Sequence, residues 1–148
     1  MSTITDKAVG VIKDLIIINN DRYEGYNTAA TETNDLDLKT MFERFSNQSN
    51  QFNSELRSFI PREESPDGET TTSGKLYRVW MDVRAAITAN DRKAVLSSCE
   101  FGEDVALASY KSALKEEELS EDIIDTISKH KNALQEAHNT VKAMRDSA

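Results

Sequence analysis

From Leu96 to Ala113 the chain sets Leu96, Cys99, Glu103, Ala106, Tyr110 and Ala113 at steps of three and four, the spacing of one buried helix face. Glu103 lies inside that apolar stripe, with Glu100 three residues before it. An unpaired charge in an apolar interior is costly, so any fold of this chain has to bring a partner to that carboxylate. Comparable 3/4 patterns recur along most of the chain, and glycine (5) and proline (2) are too few among 148 residues to interrupt them. A charged fraction of 30% also favours helices over a sheet. The expectation is an all-α fold, with residues 1–148 forming one domain.

The first helix is expected from about Thr5 to Thr31, burying Val9, Ile12, Ile16, Asn19, Tyr23, Tyr26 and Ala30. The run Leu15-Ile16-Ile17-Ile18 has strand-like composition, but it lies within a continuous helical period and lacks flanking turn residues. Asn34 is placed to cap the second helix, with Asp35 and Asp37 suited to its first turn. That helix buries Leu38, Met41, Phe45, Phe52, Leu56 and Phe59, with Gln48 and Ser49 interrupting the stripe and Gln51 flanking it. Ile60–Gly74 holds Pro61, Pro66 and Asp67-Gly68 and reads as a mobile surface crossover. Ser73 is expected to cap a short helix carrying Leu76, Val79, Trp80, Val83 and Ile87, and Asn90-Asp91 reads as a second cap, with a break or kink near Thr88 to Asp91. The long third helix should then run to about Glu117. Ser120 opens the last helix, whose stripe is read as Ile124, Ile127, Lys131, Leu134, His138 and Val141. Two short turns and one long crossover give an up-down-down-up four-helix bundle with an extra short helix.

The inner faces then carry Asn19, Gln48, Gln51, Glu100, Glu103, Gln135 and His138. At about 1.5 Å rise per residue, each helical hairpin brings its polar residues to one height. The pattern corresponds to a carboxylate-bridged dimetal site, which takes a Glu from each of two helices and Glu-x-x-His from each of the other two. Glu100, Glu103 and His138 are the candidate metal ligands, with iron or manganese as the metals that would suit them. Asn19, Gln48, Gln51 and Gln135 are neutral carboxamides, which cannot bridge two metals as carboxylates do. They mark the degenerate positions of such a site. Glu103 and His138 are expected to meet in the interior, with Gln48 or Gln51 close by. Tyr23, Tyr26 and Tyr110 are expected to be core aromatics with satisfied hydroxyls.

The segments Asp21-Arg22-Tyr23-Glu24-Gly25-Tyr26, Phe52-x-x-Glu55-Leu56, Trp80-Met81-Asp82 and Glu100-Phe101-Gly102-Glu103-Asp104 resemble a bacterial family of ferritin-like four-helix-bundle proteins of unknown function. The resemblance runs from about Val11 to Arg145. It implies a ferritin-like bundle and a stress-related role without an assigned activity. The wider ferritin-like group implies dimetal oxidation or iron storage.

A net charge of −8 argues against nucleic acid and anionic membrane surfaces as partners, since both select basic patches. The longest apolar run, Leu15 to Ile18, is far short of a membrane span, and the N-terminus has no secretion-signal pattern. A cytoplasmic location is expected. Cys99 is the only cysteine, so no intramolecular disulfide forms, and it reads as a small core residue. No nucleophile triad, phosphate loop or zinc spacing is present. Three functions remain: a non-catalytic structural bundle with a degenerate dimetal site, an iron- or manganese-binding oxidase or storage protein, and a regulatory module binding a protein partner through the crossover or the Trp80 helix. The chain is expected to be a monomer or a homodimer, the latter through the short helix.

Overall fold

The computed structural model describes residues 4–66, 68–71 and 74–148. Among these the chain forms α1 (Asp6–Glu32), α2 (Leu36–Arg57), α3 (Gly74–Thr88), α4 (Arg92–Ala113) and α5 (Glu121–Asp146), with one 3-10 turn at Arg62–Glu64 and no strand. The protein is an all-α helical bundle. No helix among the described residues is long and apolar enough to cross a membrane.

Local chemistry sets most helix ends. Thr5 caps α1 by accepting from the Ala8 amide at 3.1 Å, and Ser120 caps α5 by accepting from Ile123 at 3.4 Å. The α3–α4 turn is tight. Asn90 takes φ 58°, and the Asn90 and Asp91 amides donate back to Ile87 and Ala86, both at 3.0 Å. Such a left-handed closure satisfies carbonyls that the helix end leaves free. Asp91 then caps α4 through the Ala94 amide at 3.1 Å. Two expected boundaries differ. The cap position of α2 is Asp35, not Asn34, and its side chain makes no capping bond. Its carboxylate instead reaches Arg92 at the start of α4, at 3.4 Å. Helix α4 stops at Ala113 rather than near Glu117. Ser73, the expected cap of α3, lies outside the described residues.

Helix α1 lies along α2, and α4 along α5. Both pairs are antiparallel: Arg22 reaches Phe45 and Ser49 while Asn53 reaches Ile16, and Glu100 meets Arg145 while Tyr110 meets His130. The apolar interior falls into two clusters. One contains Ile12, Ile16, Phe52, Leu56, Leu107, Ile123 and Ile127, and the other Tyr26, Phe42, Phe45, Val83, Leu96 and Val141. Between them lies a layer of polar side chains. The crossover is tied down from α1: the Asp21 carboxylate accepts from the Thr71 amide at 2.9 Å and its hydroxyl at 2.8 Å, and Asn20 donates to the Glu69 carbonyl at 2.9 Å.

Helix α3 packs on α4 and also touches α1. Two glycines let it approach. A Cβ on Gly25 of α1 would fall 2.2 Å from the Trp80 indole, and one on Gly102 of α4 would fall 2.9 Å from Val79. Gly25→Ala is therefore expected to lose about 1–3 kcal/mol by overpacking, less the ~1 kcal/mol that alanine contributes as a better helix former. Gly10, with nothing within 4 Å of its added Cβ, is the control. Gly10→Ala should stabilise by about 0.5–1 kcal/mol. Urea unfolding followed by emission of Trp80, the only tryptophan, separates the two; equal effects would show that α3 is not held by this contact.

Candidate functional site: a polar belt between two apolar clusters

The belt begins at Arg22, which is 2% exposed, facing Glu103, which is 1% exposed. Its guanidinium forks onto the carboxylate, with Nε donating to Oε2 at 2.9 Å and Nη2 to Oε1 at 2.7 Å. Nη1 donates to the Phe45 carbonyl at 3.2 Å and to Ser49 Oγ at 2.9 Å. The cation also lies 5.3 Å from the Tyr26 ring centre and 5.2 Å from that of Phe45, two rings that meet each other edge to face with centroids 5.4 Å apart. Burial works against the Arg22 charge, but Glu103 more than offsets it, so its pKa stands above the ordinary arginine value. Planar bidentate geometry with aromatic stacking is what a guanidinium offers and an ammonium does not.

From Ser49 the hydrogen bonds continue in one direction. Ser49 donates to Asn19 Oδ1 at 3.0 Å, and Asn19 Nδ2 donates to the Tyr110 hydroxyl at 2.8 Å. Tyr110 stands 3.2 Å from His130 Nδ1, and His130 Nε2 stands 2.6 Å from Glu55 Oε1. The consistent assignment has Tyr110 donating to Nδ1 and an Nε2–H donating to Glu55. The chain ends at the surface, where Lys129 meets Glu55 at 3.3 Å. His130 is fully buried and stacks on Phe52 with centroids 4.0 Å apart. Separate polar contacts also join α2 to α1: Asn53 donates to Asn20 at 2.9 Å and Ser46 to the Tyr23 carbonyl at 3.0 Å.

The expected site residues separate into two groups. Asn19 and Glu103 are buried and belong to the belt. Glu103 does not meet His138: its partner is Arg22, and His138, half-buried on α5, turns to two other carboxylates of α4. His138 Nε2 sits 2.9 Å from Asp104 and 3.5 Å from Glu100, and Glu100 also pairs with Arg145. Gln51 is exposed and donates to Glu55 at 3.3 Å, and Gln135 is exposed and donates to Asn139 at 3.1 Å. Gln48 keeps a buried Oε1 without a partner. The buried face of α5 is Ile123, Ile127, His130, Leu134, Ala137 and Val141, one position round from the expected stripe of Ile124, Lys131 and His138. Both readings share Ile127, Leu134 and Val141, so the choice turns on the remaining positions. Burying His130 and Ala137 leaves Lys131 and His138 near solvent, which spares the cost of a buried lysine.

Among the described residues no three His, Cys, Asp or Glu side chains converge in a way that could hold a metal ion. The donor set at the belt points the same way. Glu103 spends both oxygens on Arg22, His130 and Glu55 at the far end engage each other, and the groups between are neutral amides and hydroxyls, poor bridges for two cations. The residues present do not fit a dimetal centre. Cys99 is buried, and burial followed by the Glu103 charge pushes its thiol pKa well up, so it packs as an inert core residue. The Tyr26 hydroxyl is buried without a hydrogen-bond partner, contrary to the expectation that its hydroxyl is satisfied.

Fold and belt together define an all-α helical bundle with a hydrogen-bonded polar centre. The chain belongs to the family described as a domain of unknown function (DUF2383), whose model matches residues 7–116. The match takes in Asn19, Arg22, Ser49, Glu103 and Tyr110 but stops before His130. Comparison with the curated proteins finds no match.

The far end of the belt titrates. Burial holds His130 below its ordinary pKa against the opposing pull of Glu55. At Glu55 burial would raise the pKa, but bonds from His130, Gln51 and Lys129 bring it below the usual carboxylate value. A histidine whose pKa falls on folding binds fewer protons folded than unfolded. Its contribution is complete above about pH 6.5 and declines as pH falls through that value. Urea midpoints measured across this range should drop on acidification in the wild type. His130→Gln keeps a donor toward Glu55 but no titrating ring. It should flatten that slope while costing about 1–3 kcal/mol at neutral pH through the orphaned Tyr110 hydroxyl. Parallel slopes would assign the titration elsewhere.

Proposed function

We propose that the chain is a ferritin-like bundle of up-down-down-up order in which a polar belt stands at the level where a dimetal site would lie, and that it acts as a non-catalytic structural or interaction protein. The topology is supported by contacts between α1 and α4: Asn19 meets Tyr110 and Arg22 meets Glu103. As the number rises along α1 it falls along α4. With α1–α2 and α4–α5 antiparallel, this leaves α2 and α4 running together. The single observation that carries the functional reading is the Arg22 guanidinium in the middle of the bundle. It supplies the positive charge that Glu103 requires, in four hydrogen bonds to Glu103, Phe45 and Ser49. A metal competing for Glu103 would have to displace a cation that is already desolvated and paired.

The experiment is elemental analysis of protein purified without chelator, joined to thermal unfolding with and without ferrous iron or manganese under anaerobic conditions. The expected result is substoichiometric metal and an unchanged midpoint, because a ligand that binds the folded state raises the midpoint by mass action. Stoichiometric iron or manganese, with ferric absorbance developing on admission of oxygen, would favour the oxidase or storage reading and overturn this one.

A further inference from the structure

We propose that the belt is a one-way latch on α5: when His130 takes up a proton it keeps Glu55 and gives up Tyr110, and the first half of α5 loosens while the Arg22–Glu103 centre stays closed. The proposal holds whichever function the bundle serves.

Two groups fix the direction of the belt. The Arg22 guanidinium can only donate, so Ser49 accepts from it at 2.9 Å and passes its own proton to Asn19 Oδ1. The Leu15 carbonyl can only accept, and Asn19 Nδ2 donates to it at 3.0 Å. Turning the Asn19 amide over would set Oδ1 against that carbonyl, acceptor against acceptor. Asn19 therefore stays a donor to Tyr110, and among the described residues the Tyr110 proton has only His130 Nδ1 to go to. The other ring nitrogen, Nε2, already carries the proton that Glu55 accepts at 2.6 Å. An added proton must go to Nδ1, where it meets the Tyr110 oxygen. The hydroxyl proton of a fully buried side chain is then left without an acceptor, which carries the cost of an unmade bond.

The surroundings of the ring decide which contact yields. Glu55 faces it from α2, the Tyr110 hydroxyl from α4 and Lys129 from α5 itself. From α1 comes the neutral Asn19 beyond Tyr110, with the Arg22 cation farther along the series. Protonation makes the Glu55 contact a full ion pair and turns the Tyr110 contact against itself. Glu55 and Lys129 lie toward the surface, with side chains 27% and 68% exposed, so the ring is drawn outward. Burial already holds the imidazole below its ordinary pKa, which places the change below about pH 6.5.

His130 is the one α5 side chain in the series; the other inward residues of α5, Ile123, Ile127, Leu134, Ala137 and Val141, are apolar. Helix α2 meets α5 far less than it meets α1, and the stack of His130 on Phe52 goes with the ring. The second half of α5 is held on α4 separately, by Arg145 on Glu100 and His138 on Asp104. Arg22 and Glu103 engage α1, α2 and α4 without α5.

Hydrogen exchange of the full chain is the test, at about pH 7.5 and about pH 5.5, on either side of the histidine range, with protection corrected for the intrinsic pH dependence of amide exchange. Acid should cost the α5 amides from Ile123 to Leu134 about tenfold or more in protection, while those around Arg22 and Glu103 keep theirs. His130→Gln cannot take up the proton and should hold α5 protection constant. Glu55→Gln keeps an acceptor for Nε2 but removes the charge that favours the imidazolium, so the midpoint of the α5 change should move to lower pH. Equal loss in all helices, no loss in α5, an acid response that survives His130→Gln, or a Glu55→Gln midpoint that stays in place would each overturn the proposal.

Discussion

The bidentate pair between Arg22 and Glu103 is the contact on which the centre of the bundle depends. It joins α1 to α4, two helices that touch each other far less than either touches its hairpin partner. Replacing such a pair by well-packed apolar side chains is often neutral in stability, while removing one member alone is severe. Its physical effect is thus discriminating: any sliding or rotation of α1 against α4 strands a charge in the interior. The Tyr26 and Phe45 rings pack beside the guanidinium, and the Phe45 carbonyl and Ser49 take its remaining donors on α2. One side chain therefore fixes three helices at a common height.

The other belt residues extend that constraint to α5. Each donor in the series Arg22, Ser49, Asn19, Tyr110, His130 has an acceptor in the next group, and the series ends on the Glu55 carboxylate. A hydrogen-bonded series is costly to satisfy in part and rigid when satisfied throughout. The two apolar clusters on either side supply the burial that drives collapse, and the belt between them specifies the register in which collapse occurs.

Much of the fold was legible in the sequence. The 3/4 periods located every helix, and Thr5, Asp91 and Ser120 mark starts that the capping bonds reproduce. Glu103 announced that a buried cation was needed. Its identity was harder to read, because Arg22 and Tyr23 occupy interchangeable positions in the α1 period, three or four residues from both Asn19 and Tyr26. Hydrophobicity selects Tyr23, whereas charge balance across helices selects Arg22, and only the second criterion uses Glu103. On α5 the same one-position ambiguity hid His130 behind His138. Asn20 and Asp21 were unreadable for another reason: they are buried under the crossover, whose course over α1 follows from no local pattern. Ser49 was visible as a break in the α2 stripe, and a break in an apolar stripe opposite a buried charge is the signal that would have placed it.

Arg22 and Glu103 act as one unit. A double-mutant cycle in urea, using Arg22→Met, Glu103→Leu and the two together, tests it most directly. Each single substitution should cost about 3–5 kcal/mol by leaving a buried charge alone, and the double variant should recover most of that loss because nothing charged remains unpaired. Single substitutions that each cost under about 1 kcal/mol, with a double variant equal to their sum, would mean that the two side chains are solvated and independent, and the account of the belt would fail.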